Sequence, residues 1–447
     1  MDRSVGGIPQ LSEVYLENFK SFRRAALPLA PFTVLIGPNA SGKSNAVEAL
    51  RFLNALATGR YLDDIYKDLY GKGLLRGKRD ELVRKGETNF ALGVTVTTSA
   101  GQMEWKQVVS VARELTVGEE RLEHEGESVP TFWTEVPRPP HTLTVRYNNF
   151  ARGGTKPSLL ADDRQAVFAQ LDTPARFTTP KAQKLIPQRA HTLRDVLGRI
   201  FFLEPRPALM RGYAAVEEEI VLDSSGQNLS AVLYEVCERQ GHKEEVLDFV
   251  RHLPEGEIVA IGFIKTERND VMVRVTERFG SREETWDAAI LSDGTLRVLA
   301  VAAALYSVPE GSLVVVEEVD NGVHPSRTEA LLERMRRVVE ERALRVLLTT
   351  HNPALLDALP LDLYSGVVYC YRHKEEGDSR FVRLVDLPEY PALTVQDSLG
   401  RLLARRVLER AVSELEVPLE ERRRRTLEWL EKWFEETTDK EAASISS

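Results

Sequence analysis

Cysteine is nearly absent: the 447 residues hold only Cys237 and Cys370. Two thiols build neither a disulfide framework nor a thiolate metal cluster, and the expectation is a reducing, cytoplasmic compartment. Long apolar runs are missing too. The longest, Val298 to Leu305, falls well short of the ~20 residues that span a bilayer, and Ser307, Pro309 and Glu310 follow it. The N-terminal MDRSVGGIPQLSEVY lacks the apolar stretch of a secretory signal, so neither export nor a membrane role is expected. Nor is there an excess of positive charge. Acids outnumber bases by 68 to 59, a net −9, which excludes a blanket polycation while leaving a local nucleic-acid patch open. His324 and His351 have no Cys or His companions at ligand spacing, which argues against zinc.

What is present is an ordinary globular composition, 43% hydrophobic, ample for a core and too apolar for wholesale disorder. At ~150 residues per domain the length corresponds to about three domains, or to one large domain with insertions. Val14, Leu16 and Phe19 alternate through SEVYLENFKSF as a strand, and residues 31–37 form a continuously apolar strand suited to burial on both faces. Residues 91–99 and 103–114 read as strands around an AGQ turn. The Gly-, Pro- and charge-rich 115–160 reads as connecting loops. A mainly helical stretch runs to Cys237, and strands return at 257–279. Then come the helix TLRVLAVAAALYS, the buried strand SLVVVEE, the helix TEALLERMRRVVEERA and the strand RVLLTTH. YRHKEEGDSRFVRLVDLPEY reads as a finishing hairpin, and the tail from about Ser398 as charged helix.

The segment Gly37-Pro38-Asn39-Ala40-Ser41-Gly42-Lys43-Ser44 fits G-x-x-x-x-G-K-[ST] at every position, between a buried strand and a helix. Such a loop turns backbone N–H groups around a β-phosphate, at a helix N-terminus whose dipole favours anions. Lys43 would neutralise the β- and γ-phosphates and Ser44 would ligate Mg²⁺, with Gly37 through Asn45 forming the ATP- or GTP-binding segment. Three further elements lie downstream, in this order. Leu291-Ser292-Asp293-Gly294-Thr295 precedes an apolar helix, Leu313-Val314-Val315-Val316 ends in Glu317-Glu318, and Thr349-Thr350-His351 closes another apolar strand. Singly these are a common turn, a solvated acid pair and a structural histidine.

Together, after a P-loop, they resemble the ABC-type ATPases: Walker A, a long insertion, an LSGGQ-like signature, Walker B with a catalytic Glu, and a switch His. That resemblance implies the roles that follow. Ser292 and Gly294 would close on the γ-phosphate held by the other protomer's P-loop, Glu317 would support Mg²⁺, Glu318 would polarise the attacking water, and His351 would align the γ-phosphate. Asp320 to His324 would be the D-loop facing the partner. The chain departs from the pattern in three places: Glu317 stands where Asp is usual, Asp293 adds a negative charge to the signature, and no Q-loop glutamine declares itself, Gln165 and Gln170 being candidates.

The stretch LENFKSF leading into VLIGPNASGKSN resembles the SMC and RecF side of the superfamily, and the absence of sustained heptads excludes long coiled-coil arms. LSDGTLRVLA, VVVEEVDNGVHPS and LLTTHNPALLDAL resemble a group of AAA ATPases related to the ATPase half of OLD-family nucleases, as do FLEPRPALMR and DSSGQNLSAVLYEV. The resemblance implies an α/β, ABC-type P-loop ATPase head formed from two sequence-distant lobes, 1–155 and 255–380. It also implies a mainly helical insertion at 156–254 and a helical C-terminal appendage at 381–447. It further implies ATP and Mg²⁺ as cofactors and a homodimer with ATP sandwiched between the heads. The expected function is the ATPase of an anti-phage or similar multi-protein system controlling a separate effector nuclease, because the tail lacks the D-x-D of a Toprim domain. The alternative is a RecF/SMC-like DNA-repair ATPase that binds duplex DNA directly. Arg422 to Arg425 sit among Glu420, Glu421, Glu428 and Glu431, and read as part of an amphipathic helix in preference to a phosphate-binding patch. Trp429 and Trp433 on that helix suit packing or a dimer contact.

Overall fold

The computed structural model describes residues 7–135, 141–217, 220–251, 257–319, 325–387, 390 and 397–415. The chain begins with β1 (Gln10–Phe19), β2 (Phe22–Pro28), β3 (Phe32–Ile36), α1 (Lys43–Leu56) and α2 (Leu62–Gly71). There follow β4 (Asn89–Thr98), β5 (Gly101–Val111), β6 (Leu115–His124), β7 (Phe132–Thr134), β8 (Leu143–Tyr147) and β9 (Ser158–Ala161). The middle holds α3 (Pro180–Gly198), β10 (Ile200–Leu203), α4 (Pro207–Met210), β11 (Ala214–Ala215), α5 (Leu229–Tyr234), α6 (Lys243–Val250), β12 (Glu257–Lys265), β13 (Asp270–Phe279) and β14 (Arg282–Asp287). The remainder comprises α7 (Asp293–Ser307), β15 (Leu313–Glu317), α8 (Pro325–Glu341), β16 (Arg345–Thr349), α9 (Pro353–Asp357), β17 (Val367–Arg372), β18 (Ser379–Arg383), α10 (Leu399–Ala404) and α11 (Val407–Leu415). The fold is mixed α/β. Among the described residues no helix is long and apolar enough to cross a membrane.

One sheet runs β10-β15-β16-β3-β17-β18-β2-β1-β4-β5-β6-β7-β8-β9. Its first five strands are parallel and its last seven antiparallel, β18 meeting β2 between the two halves. The parallel strands read as apolar runs because each face is covered. Val34, Ile36, Val314, Val316, Val346 and Leu348 enter one core with α5 to α8. Leu35, Val315, Leu347, Val368 and Cys370 enter the other with α1 to α3. A second, smaller sheet places β13 beside β11, β12 and β14.

Residues 115–160 were expected to be connecting loops, and here the structure corrects the reading: β6 to β9 extend the antiparallel half. The alternation is present in β6, where Leu115, Val117 and Leu122 point inward, but an acid occupies the fourth inward position. Residues 156–254, expected to be a mainly helical insertion, hold strands beside their helices. β9 lengthens the antiparallel sheet, β10 pairs in parallel with β15, and Asn54 of α1 donates to the carbonyls of Leu197 (2.8 Å) and Ile200 (3.1 Å) around the end of α3. α3 itself starts as sequence rules predict, with Thr179 accepting from the Ala182 N–H and Pro180 in the first turn.

The inward acid of β6 is Glu120, whose two oxygens accept from four protein donors. Trp105 Nε1 (3.0 Å), Gln107 Nε2 (2.7 Å) and the backbone N–H groups of Val167 (2.7 Å) and Phe168 (2.8 Å) converge on its two oxygens. It thus ties β5 and β6 to the segment that leads into α3. Glu120→Ala strands four donors in the core and should cost about 3 kcal/mol or more. The expected readout is a lower urea midpoint at unchanged slope. A midpoint equal to the parent's would show that the network contributes nothing net.

Candidate functional site

The loop after β3 has three residues in left-handed or open conformations, Gly37 (φ 148°), Ala40 (φ 62°) and Gly42 (φ 118°). Two of them are glycine because another part of the chain lies against them. A Cβ on Gly37 would stand 2.1 Å from the Cys370 carbonyl oxygen, and one on Gly42 2.5 Å from Ser379 Oγ. Those neighbours belong to β17 and β18, and they also hold the loop's carbonyls. Ser379 Oγ (2.5 Å) and Cys370 Sγ (3.4 Å) donate to Ser41 O, and Arg372 Nε donates to Ala40 O (3.1 Å). Asn45 Nδ2 donates to Ser21 Oγ (2.7 Å), which lies 2.8 Å from Ser379 Oγ. As at any helix start, the first N–H groups of α1 have no intrahelical partners, which is what an anion cradle requires.

Lys43 folds over this loop, its Nζ donating to Gly37 O (2.6 Å) and Pro38 O (3.0 Å). Burial lowers its pKa from the ordinary lysine value, while nearby Cys370 and Glu318 act to raise it. Burial likewise pushes the Cys370 thiol up to about 11, so it stays a neutral prop. Ser41 Oγ is buried with no hydrogen-bond partner among the described residues, a donor–acceptor inside a loop otherwise bonded on its underside. The cradle, the lysine and this unsatisfied hydroxyl fit a phosphate chain.

The acids arrive on the neighbouring strands. β15 and β16 run in parallel with Glu317 opposite Thr349, and the next residue, Glu318, turns with φ 54° while its N–H reaches Thr349 O (3.2 Å). A non-glycine residue in that region carries backbone strain, which clusters at functional sites. Glu317, Glu318, Thr349, Thr350 and His351 share one cleft of about 780 Å³ with Lys20, Asn39 to Asn45, Arg76 and Arg372. The hydroxyl of Ser44 and the carboxylates of Glu317 and Glu318 are a donor set suited to a hard divalent cation. A second group, His373, Glu376 and Asp378, lies within 4.8 Å. Glu376 and Asp378 are paired with Arg380, and His373 Nδ1 accepts from the Glu376 N–H, so those atoms are already used.

The other expected site residues lie elsewhere. Ser292 caps α7, its Oγ accepting from Thr295 N–H (3.1 Å), and with Gly294 it forms a helix N-terminus that does not line the cleft of its own chain. The Asp293 charge is accounted for: Arg211 Nη2 reaches Asp293 Oδ1 at 2.5 Å while its Nη1 holds the carbonyls of Ala289 (3.0 Å) and Leu291 (2.7 Å). Gln165 bonds Gly59 O and Gln170 bonds Asp162 O (2.8 Å), and neither lines the cleft. Asp320 to His324, Arg422 to Arg425, Trp429 and Trp433 lie outside the described residues.

The residues that support the cleft went unrecognised in the sequence. On α1, Glu48 and Arg51 follow Ser44 at i+4 and i+7, one helix face, a pattern that was legible. Buried Glu48 gathers Lys20 from the β1–β2 turn and Arg76 Nε (2.6 Å) from the loop after α2. Burial lowers the Lys20 pKa, and Glu48 opposes that shift. Arg51 reaches Glu317. The props Ser21, Cys370, Arg372 and Ser379 carried no sequence signal.

A P-loop between a buried parallel strand and a helix, with acids and a histidine ending the adjacent strands, defines a P-loop ATPase fold. Comparison agrees. Residues 10–90 match the family model "AAA ATPase domain", and residues 149–357 match "AAA domain, putative AbiEii toxin, Type IV TA system". The chain carries AAA-family ATPase domains and is SMC- and RecF-like in sequence. It is 40% identical over 62 residues to structural maintenance of chromosomes protein 1 of Arabidopsis thaliana, a match covering 13% of this chain and 5% of that protein. It is 33% identical over 109 residues to the DNA replication and repair protein RecF of Gloeobacter violaceus, covering 24% and 25%. The chain thus spans a quarter or less of these curated relatives. Among solved structures it is similar to an Smc head bound to the C-winged helix domain of ScpA, with TM-score 0.47 and 12% identity over 83% of this chain and 97% of that one.

Gly42→Ala would force a φ of 118° on an L-residue and press its methyl onto Ser379 Oγ. Left-handed strain alone costs about 1–2 kcal/mol, so nucleotide affinity should fall about tenfold or more. Fluorescent-nucleotide titration measures it. Relieving the contact with Gly42→Ala/Ser379→Gly should recover only part, because the backbone strain stays. Full recovery would show that contact, not φ, demands glycine.

Proposed function

We infer that this ATPase is a dimeric switch in which each nucleotide is held by one chain's P-loop and closed over by Ser292 and Gly294 of the other. One observation carries this reading. The cleft holds the loop, the lysine, both acids and the histidine, yet the capped N-terminus of α7 stands outside it with Ser292 and Asp293 exposed. An exposed helix N-terminus favours an anion, and a second copy is the natural source of a phosphate for it.

Within the cleft Lys43 swaps its two loop carbonyls for β- and γ-phosphate oxygens, and the α1 N-terminus receives the β-phosphate. Ser44 and Glu317 would hold Mg²⁺, which would supply charge neutralisation to the phosphates. Glu318 orients and polarises the attacking water, and His351 bonds the γ-phosphate. The reaction demands positioning and charge compensation more than covalent chemistry, and these side chains provide both.

The output we favour is control of a separate effector within a multi-protein system, in line with the toxin–antitoxin wording of the family model that matches 149–357. Direct grip on duplex DNA is the second reading, favoured by the RecF relative. The two differ in a salt titration. Direct DNA binding predicts ATP-dependent affinity that falls steeply with salt, as counterion release requires, whereas effector control predicts weak, ATP-independent DNA affinity.

Lys43→Ala should abolish nucleotide binding. Glu318→Gln should bind ATP, lose turnover and accumulate as a dimer of twice the chain mass by light scattering. A Glu318→Gln protein that stays monomeric with ATP and hydrolyses at the parent rate would overturn the assignment.

A further inference from the structure

The acid at the end of β15 is held from behind by a cation. Arg51 Nη2 lies 2.9 Å from Glu317 Oε1, with the Arg51 side chain 8% and the Glu317 side chain 27% exposed. The guanidinium cannot swing freely, because its Cζ stands 4.4 Å from the centroid of the Phe202 ring, a cation–π stack. Phe202 in turn is fixed on β10, paired with Val315 of β15, the strand that ends in Glu317. Arg51 is therefore clamped by α1, which also presents Ser44, and by the strand beside β15. The contact uses one carboxylate oxygen. Among the described residues Oε2 of Glu317 has no protein partner, and Glu317 lines the cleft.

Resting on the reading of this cleft as a nucleotide and metal site, we propose that Arg51 is a positioning residue for the divalent cation. It binds Oε1 of Glu317, so the acid meets the metal through Oε2 alone and with part of its charge already compensated. Two consequences follow from the chemistry. A carboxylate gripped by a guanidinium cannot turn to chelate with both oxygens, and a fixed positive charge behind it weakens cation binding. The arrangement also accounts for glutamate at this position: its extra methylene lengthens the reach from the strand end toward α1, and aspartate would surrender the arginine or the metal.

The test uses the full chain carrying Glu318→Gln, so that ATP is not consumed, with Mn²⁺ as the probe and free Mn²⁺ read by electron paramagnetic resonance. Arg51→Met keeps an apolar stem against Phe202 and removes the charge. It should tighten Mn²⁺ binding in the presence of ATP about fivefold, while ATP affinity in EDTA stays within about twofold of the parent. Arg51→Lys, which keeps the charge but loses the planar fork, should lie between the two and serves if Arg51→Met does not fold. Unchanged Mn²⁺ affinity, or a loss that parallels a loss of metal-free ATP binding, would overturn the proposal and leave Arg51 a packing residue. Glu317→Gln separates this from the site assignment. If it leaves Mn²⁺ affinity unaltered, Glu317 is not the metal-side acid. If it weakens Mn²⁺ binding and cancels the effect of Arg51→Met, both stand.

Discussion

The strand that ends in the P-loop is locked between two strands from the far end of the chain. β3 pairs in parallel with β16 on one side, Leu348 opposite Val34, and with β17 on the other, Val368 opposite Leu35. Everything at the site depends on that sandwich. It brings Thr349 and, one strand further, Glu317 alongside the loop, and it slides the β17–β18 hairpin beneath it. The loop's shape is therefore not self-contained. Its glycines answer to Cys370 and Ser379, and its Ala40 and Ser41 carbonyls are occupied by donors more than three hundred positions away in sequence (Ser379 to Ser41, |i−j| 338). With the carbonyls of Gly37, Pro38, Ala40 and Ser41 all bonded, the conformation of the loop is held from both near and far in the sequence.

From that anchor the charges fall into order along α1. Ser44 opens the helix at the cleft, Glu48 one turn on collects Lys20 and Arg76, and Arg51 a further turn on grips Glu317. Each contact joins elements distant in sequence, so one helix face coordinates the base-rich rim, the loop and the acids. The −9 net charge of the chain is no obstacle to binding a polyanion under these conditions. The local field comes from a helix N-terminus, Lys43 and the cations that Glu48 assembles.

Much of this was legible in the sequence where the backbone itself dictates residue type. Gly37 and Gly42 are demanded by positive φ and close approach, so the P-loop announced itself. β3, β15 and β16 carry apolar runs because both faces are covered, and Ser292 read correctly as the start of a helix. What stayed hidden depended on partners. Glu120 broke the alternation of β6 and made a strand look like loop, because four donors from elsewhere in the fold satisfy it. Residues 371–390 read as a finishing hairpin, whereas the hairpin of β17 and β18 spans 367–383 and sits at the centre of the sheet, since a strand's sequence does not name its neighbours. The stretch around β10 looked helical because four residues of strand follow nineteen of helix in α3. Arg51 was an unremarked helix residue until Phe202 and Glu317 converged on it.

The central claim is that one chain supplies the P-loop, acids and histidine, and a second copy supplies the signature helix. A crystal structure of the Glu318→Gln chain with ATP and Mg²⁺ tests it most directly. The account predicts two ATP molecules between two chains, each with phosphates on Lys43 and Ser44 of one protomer and within hydrogen-bond reach of Ser292 and Gly294 of its partner. A nucleotide fully enclosed by a single chain, with both α7 N-termini still facing solvent, would contradict it.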